Sequence, residues 1–461
     1  MSGYMVAVDN GSQSTKVSII DPDGVVHASA RVALRPYDAP APGRWEHPGD
    51  DLWESIVEAV RGALAGFAGD PAEIRGLGLC TIRFCRAALR DDGTLAQPVM
   101  SWMDERVSRA HEAESADVRY VTTSSGYIAH RLTGELRDAA GNYQGVWPID
   151  TLTWDWSTDP ADYERTGMHR DMLFDLVRPG GVLGTVTDEA AAQTGLPVGL
   201  PVIATANDKA VEALGAGLRS QHDALLSLGT YVAAMTVGRE SASADDAYWV
   251  NFGAEPGRYL YESDGVRRGM WTVSWYRDLI SSAGGAASEH ELGIGAESVP
   301  VGSGGLVVGL DWLAPSDAPE RRGAIVGFDG TQGTFHVFRA ILEALAIASA
   351  EGADRTFEAL GRDLGELVVT GGGASSALML RILAGVYGVP VRRPVLTDAA
   401  GMGAAICAAV ATGIHPDFDS AVAAMVRVDV RVAPDPAWVE AYAAVRERYR
   451  ELLPRLHAIY R

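Results

Sequence analysis

Apolar and polar positions alternate along this chain in a recurring unit: a short β-branched run, a polar turn holding glycine, and a second apolar run, with longer helical stripes between such units. The runs 6–8 and 17–20 flank Asp9-Asn10-Gly11-Ser12-Gln13-Ser14-Thr15-Lys16, the pattern of a hairpin whose turn faces a ligand. Asp21-Pro22-Asp23-Gly24 is a turn, and alternation resumes as a strand over 25–34. Residues 51–67 place Leu52, Trp53, Ile56, Val57, Val60 and Leu64 on one helical face, with Asp50 in position to cap it. Strands follow at 74–79 and 83–89, and a second helix at 126–132. Residues 139–159 carry Trp147, Trp154 and Trp156 among Asp, Pro and Gly, which predicts irregular structure packed on a domain or lining a cleft.

A short strand at 201–204 leads through Asn207-Asp208-Lys209 into a helix over 210–218. The polar residues 219–223 mark a domain boundary, because the stretch 225–237 then repeats the opening design of apolar strand, Gly-hydroxyl turn and apolar strand. Beyond it come a helix over about 333–350, a strand at 367–369 entering Thr370-Gly371-Gly372-Gly373-Ala374-Ser375-Ser376, and a helix over 378–387. An Ala-rich helix starting at Gly401-Met402-Gly403 and a charged one over 436–452 complete the chain. The expected class is α/β, with duplicated halves at 1–218 and 219–461.

Length and composition agree with two cores, since 461 residues with 47% apolar and 21% charged side chains exceed what one core usually holds. Met1 to Tyr4 run straight into the first strand with no basic and apolar leader, so a cytoplasmic enzyme with no membrane partner is expected. Three sparse cysteines, Cys80, Cys85 and Cys407, argue against a disulfide framework or zinc site and read as small core residues. A formal charge of -21 excludes nucleic acid as a partner. Any phosphate must then be held by amides, hydroxyls and a metal ion rather than by a positive field.

The loop at 9–16 has that chemistry. Gly11 permits close backbone approach, Ser12, Ser14 and Thr15 offer hydroxyls, Gln13 an amide and Lys16 a point charge. Asp9 beside phosphates implies an intervening cation, and Mg²⁺ suits one or two carboxylates with phosphate oxygens. A polar hairpin turn without ligand is the alternative. Three glycine-bearing turns, at 9–16, 228–230 and 370–376, match a nucleotide clamped between duplicated halves, although a packing turn is equally consistent with the last. Asp208 ends a strand where a kinase needs a carboxylate base, or else it caps the helix that follows.

These motifs occur in the order found in the FGGY carbohydrate kinases, which the chain resembles over nearly its whole length. The matches are Asp9 to Lys16, Trp102-Met103-Asp104-Glu105-Arg106, Leu132-Thr133-Gly134-Glu135, Asn207-Asp208-Lys209, Gly229-Thr230, Arg339-Ala340-Ile341-Leu342-Glu343, Gly371-Gly372-Gly373-Ala374 and Gly401-Met402-Gly403. The resemblance implies two ribonuclease-H-like, actin-like ATPase domains around a cleft, ATP and Mg²⁺ as cofactors, and Asp208 as catalytic base, with Asp9 and Asp208 near the metal. It puts Gly11 to Lys16, Gly229 and Thr230 on the phosphates and Gly372, Gly373 and Ala374 along the adenosine. Arg83, Trp102, Asp104, Asp208 and Lys209 would line the acceptor site.

The chain departs from that pattern between Glu112 and Tyr127, where the family carries several tens more residues, and in Lys209, which replaces a common Gln. Thr81-Ile82-Arg83-Phe84 resembles the glycerol and tetritol style of site. The implied activity is ATP-dependent phosphorylation of a primary hydroxyl on a small ketose or linear polyol. A nucleotide-binding sensor or a hydrolase on the same fold are the alternatives. The oligomeric state stays open, a homodimer being one option.

Overall fold

In the computed structural model, which describes residues 3–241, 245–285, 288–315, 318–396 and 398–460, two sheets are each built from the recurring unit seen in the sequence. The first contains β1 (Tyr4–Asn10), β2 (Ser14–Ile20), β3 (Val26–Ala33), β4 (Ile74–Thr81), β5 (Val182–Thr185) and β6 (Pro201–Ala204), in the order β5-β6-β4-β1-β2-β3. The second contains β7 (Asp223–Ser227), β8 (Ala234–Gly238), β9 (Trp249–Phe252), β10 (Tyr259–Glu262), β11 (Glu366–Thr370), β12 (Val391–Pro394) and β13 (Val428–Val432), in the order β9-β10-β8-β7-β11-β12-β13.

The pairings repeat strand for strand. In the first sheet β1 pairs antiparallel with β2, β2 with β3, and β1 runs parallel to β4 and β4 to β6. In the second, β7 pairs antiparallel with β8, β8 with β10, and β7 runs parallel to β11 and β11 to β12. This is the duplication expected of two ribonuclease-H-like units. Each sheet also gains an antiparallel edge strand, β5 or β13, drawn from a different place in the chain.

Helices cover both sheets. Among them are α1 (Asp51–Ala65), α2 (Ser124–Thr133), α3 (Asp208–Gly215), α4 (Thr334–Ala359), α5 (Ala377–Tyr387), α6 (Ala399–Ala411) and α7 (Pro436–Ala458). Helix α1 buries Leu52, Trp53, Ile56 and Val60, as its stripe predicted. Asp50 sits at the cap position without a capping bond, because its carboxylate instead accepts from Arg131 at 2.5 Å and Tyr127 Oη at 2.5 Å. All three cysteines are free and buried. Among the described residues, no helix is long and apolar enough to cross a membrane.

The halves meet on α6, which packs on α3, β1 and β4. Its small side chains are required there: a Cβ on Gly403 would lie 2.0 Å from the Val211 carbonyl oxygen, and one on Gly215 1.8 Å from that of Ala399. Met5, Ile203, Leu225, Val368 and Met402 share one apolar cluster across this junction. A second bridge comes from the tryptophan-rich segment. Trp147 and Trp156 pack on Tyr143, while Trp154 enters an aromatic cluster with Phe252 and Tyr259, donating its indole N–H to Tyr259 Oη at 3.1 Å.

Candidate active site

The first hairpin presents only its tip. Gly11 closes the turn by donating its N–H to the Ser14 carbonyl at 3.1 Å, and Tyr37 Oη bonds the Ser12 carbonyl at 3.0 Å. Gly11 and Ser12 are half-buried and Gln13 is exposed. Ser14 and Thr15 are buried, Ser14 Oγ accepting from Arg31 and Thr15 Oγ1 lying 2.6 Å from both Asn10 Nδ2 and Ser55 Oγ. Those two hydroxyls therefore stabilise the hairpin from within.

Lys16 stands between two carboxylates, 3.3 Å from Asp398 and 3.9 Å from Asp9. Asp398 precedes α6 but makes no side-chain cap bond, which leaves its carboxylate to face the first hairpin. Burial, with added repulsion from Asp398, pushes the Asp9 carboxyl up to about 7 against the pull of Lys16; Asp208 and Glu212 add to the rise. This excess of carboxylates over cations fits a divalent ion held by one or two carboxylates with phosphate oxygens and water. Among the described residues, no group of three or more His, Cys, Asp or Glu could hold a metal without such added ligands.

The helix-cap position that the sequence offered to Asp208 belongs to its neighbour. Asn207 is the cap of α3, its Oδ1 accepting from the Ala210 N–H at 3.0 Å. Asp208 is the first helical residue, and its carboxylate lies 3.8 Å from Arg83 Nε with about a quarter of the side chain accessible (27%). Burial raises the Asp208 carboxyl, opposed by Arg83 and Lys209. Lys209 pairs with Glu212 at 2.8 Å and reaches Ser227 Oγ at 3.2 Å, while Thr370 Oγ1 donates to Glu212 at 2.7 Å. The first turn of α3 is thereby tied to the ends of β7 and β11 in the other half.

Arg83 does not lie on a strand. The second strand of that region begins only at Arg86, and Phe84 adopts φ 66, a left-handed conformation that an aromatic residue seldom takes. This turn swings Arg83 toward the second half, where its Nη1 and Nη2 donate to Glu262 at 2.7 and 3.0 Å. The guanidinium stacks on Trp249 at 4.7 Å, and the Phe84 ring lies 5.8 Å from that of Trp249. Asn251, buried, reaches Glu262 at 3.5 Å and leaves its own Oδ1 without a partner.

Trp102 is exposed at 47%. Asp104 is buried and committed to its own turn, accepting from the Trp45 N–H at 2.7 Å and from Arg106 Nε and Nη2 at 2.9 and 2.7 Å. At the other end of the cleft, the Gly229 and Thr230 carbonyls accept from Met270 and Gly269 at 3.0 and 2.7 Å. Gly372 borders a cavity of about 250 Å³ with Met270, Phe338, Leu342 and Ser376. A Cβ on Gly372 would meet nothing, whereas one on Gly373 would lie 2.8 Å from Met270 Sδ, and Ala374 is buried.

Sequence reasoning missed Glu262, Trp249, Asn251, Asp398 and Glu212. A detectable signal existed for two of them: a Glu closing the apolar strand Tyr-Leu-Tyr-Glu, and an Asp just ahead of the Ala-rich helix.

The model of the FGGY family of carbohydrate kinases, N-terminal domain, matches residues 4–113 and 107–215, two pieces that overlap at 107–113; the C-terminal domain model matches 224–412. The chain is similar to the uncharacterized sugar kinase YgcE of Escherichia coli (strain K12), 42% identical over 451 residues, covering 96% of this chain and 92% of that one. It is 26% identical over 519 residues to autoinducer-2 kinase of Klebsiella pneumoniae subsp. pneumoniae, covering 99% and 93%. Its fold superposes on xylulose kinase from Rhodospirillum rubrum with TM-score 0.85 at 23% identity, covering 99% of each chain. Gluconate kinase from Lactobacillus acidophilus gives TM-score 0.88 at 18% identity, covering 100% and 99%.

Proposed function

Because the chain belongs to the FGGY family of carbohydrate kinases and is an ATP-dependent enzyme of that class, we propose that it phosphorylates a primary hydroxyl of a small open-chain ketose or linear polyol, with Asp208 as general base. The observation that carries this reading is the placement of the Asp208 carboxylate: Asn207 takes the cap position, and Asp208, whose Oδ1 accepts from the adjacent Lys209 N–H at 3.0 Å, stands at the cleft beside Arg83. The acceptor hydroxyl binds against Asp208, which takes its proton as the oxygen bonds to the γ-phosphorus. The bond from that phosphorus to the β-phosphate oxygen breaks, giving the phosphate ester and ADP. Burial raises the Asp208 carboxyl against the pull of Arg83 and Lys209, which strengthens it as a base.

The chain's own groups handle the nucleotide at both ends. The tip at Gly11, Ser12 and Gln13 approaches the phosphates, with Gly229 and Thr230 opposite, and the Gly372 cavity takes the base and ribose. Lys16 supplies one positive charge, shared with Asp398. Asp9 is the residue that would hold Mg²⁺, which when bound neutralises phosphate charge. In this reading residues 1–218 carry the loop and the base, and residues 219–461 carry the nucleotide pocket and close the acceptor site. Closure excludes water that would compete as a nucleophile.

The test is a screen of tetritols, pentitols and ketoses for acceptor-dependent ADP release, followed by mass spectrometry of the product. An ester formed at one primary hydroxyl supports the reading. Phosphorylation confined to pyranose hexoses would refute it.

A further inference from the structure

The two cations that act on Asp208, Arg83 and Lys209, each have a carboxylate of their own. Arg83 is gripped by both oxygens of Glu262, at 2.7 and 3.0 Å, and Lys209 by Glu212 at 2.8 Å. Glu262 is fully buried and comes from the second half, as do Trp249, on which the guanidinium stacks, and Asn251, whose buried Oδ1 lacks a partner. Arg83 thus keeps three N–H groups for a ligand but no net charge to offer it. Counting Asp208, the acceptor end of the cleft is anionic.

We propose that Glu262 is a specificity-determining residue of the acceptor site: by neutralising Arg83 it selects uncharged polyhydroxylated acceptors and excludes those bearing a carboxylate. This deepens the kinase reading above and rests on it. A free guanidinium would be a fork matched to a carboxylate. With Glu262 seated in that fork, an aldonate meets Asp208 and Glu262 as like charges in a site of low dielectric, whereas a neutral polyol needs only the remaining N–H groups and the unfilled Asn251 acceptor. Glu262 acts through Arg83, so it is a positioning residue for recognition rather than a catalytic one.

The experiment compares pairs of equal carbon number, a neutral alditol or ketose and the corresponding aldonate, on wild type, Glu262→Gln and Glu262→Asp. Like-charge exclusion predicts a kcat/KM for the aldonate at least about 100-fold below that of the neutral partner in wild type. Glu262→Gln should narrow the gap at least about tenfold with the KM for ATP unchanged, and Glu262→Asp, which keeps the charge, should preserve it. A residue that merely supports the fold would lower both acceptors equally along with Tm, and that result overturns the proposal. So does a wild type that uses aldonates as well as neutral acceptors, a comparison that needs no variant to fold. Calorimetric titration of the same pairs onto wild type with ADP present separates this inference from the broader reading. Tighter aldonate binding sinks the inference; neutral binding preferred alongside turnover of ring sugars alone would sink the open-chain reading and leave the inference standing.

Discussion

Asn207 and Asp208 are adjacent, yet Asn207 is the cap: its Oδ1 accepts from the Ala210 N–H at 3.0 Å, whereas the Asp208 carboxylate accepts at 3.0 Å from the N–H of the next residue, Lys209, and faces Arg83 Nε at 3.8 Å. Losing a cap of this kind costs about 1 kcal/mol. Asn207→Ala should therefore lower Tm and also reduce turnover by misplacing the base, whereas Asp208→Asn should leave Tm nearly unchanged. Thermal unfolding of the two variants side by side checks the division of roles. A larger Tm loss for Asp208→Asn would return Asp208 to capping duty.

The two glycines of the nucleotide loop separate a binding effect from a folding effect. A side chain at Gly372 points into open space, so Gly372→Val should raise the KM for ATP while Tm holds. At Gly373 the added Cβ meets Met270 Sδ at 2.8 Å and Leu228 Cβ at 2.9 Å, so Gly373→Val should cost about 1–3 kcal/mol of stability through overpacking. Equal losses of Tm in the two variants would contradict this assignment of faces.

Asp9 links stability to pH. With its carboxyl raised from 3.8 to about 7, the folded protein keeps a proton that the unfolded chain has lost in that interval. Stability therefore falls as pH rises through this window, by at most about 4 kcal/mol from this group alone. In the presence of a chelator, Asp9→Asn should melt higher than wild type at pH 8 and match it near pH 4, while losing activity. A Tm difference that does not change with pH would refute the linkage.

Arg83 is better probed by lysine than by alanine. Arg83→Ala would strand the fully buried Glu262, at a cost of about 3–5 kcal/mol. Arg83→Lys keeps the charge and loses the bidentate grip, so kcat/KM for the acceptor should fall at least about tenfold with the KM for ATP steady. Parallel losses for both substrates would remove Arg83 from the acceptor site.

Local features were legible in the sequence because local chemistry specifies them. Gly11 between two apolar runs marks a hairpin, the stripe from Leu52 to Val60 marks α1, and the small residues of α6 mark close packing. Contacts made by topology were not legible. Glu262 is 179 positions from Arg83 and reaches it only because β10 pairs with β8. Asp50 carries the signature of a capping carboxylate, yet it is claimed by Arg131, 81 positions away, which only the folded chain brings into place; Asp104 instead caps its own turn and pairs with Arg106 two positions on. Ser14 and Thr15 have the composition of phosphate ligands, but on opposite faces of β2 both are buried, Ser14 against Arg31 and Thr15 against Asn10 and Ser55.

The most direct test is steady-state ADP release by wild type and Asp208→Asn, with and without a neutral open-chain acceptor, alongside ATP affinity by calorimetry. The account predicts release that depends on the acceptor and matches the phosphate ester formed, and a fall of about 10² to 10⁴ in Asp208→Asn with ATP affinity within a few-fold of wild type. Acceptor-independent ADP release, or near-normal turnover in Asp208→Asn, would contradict it.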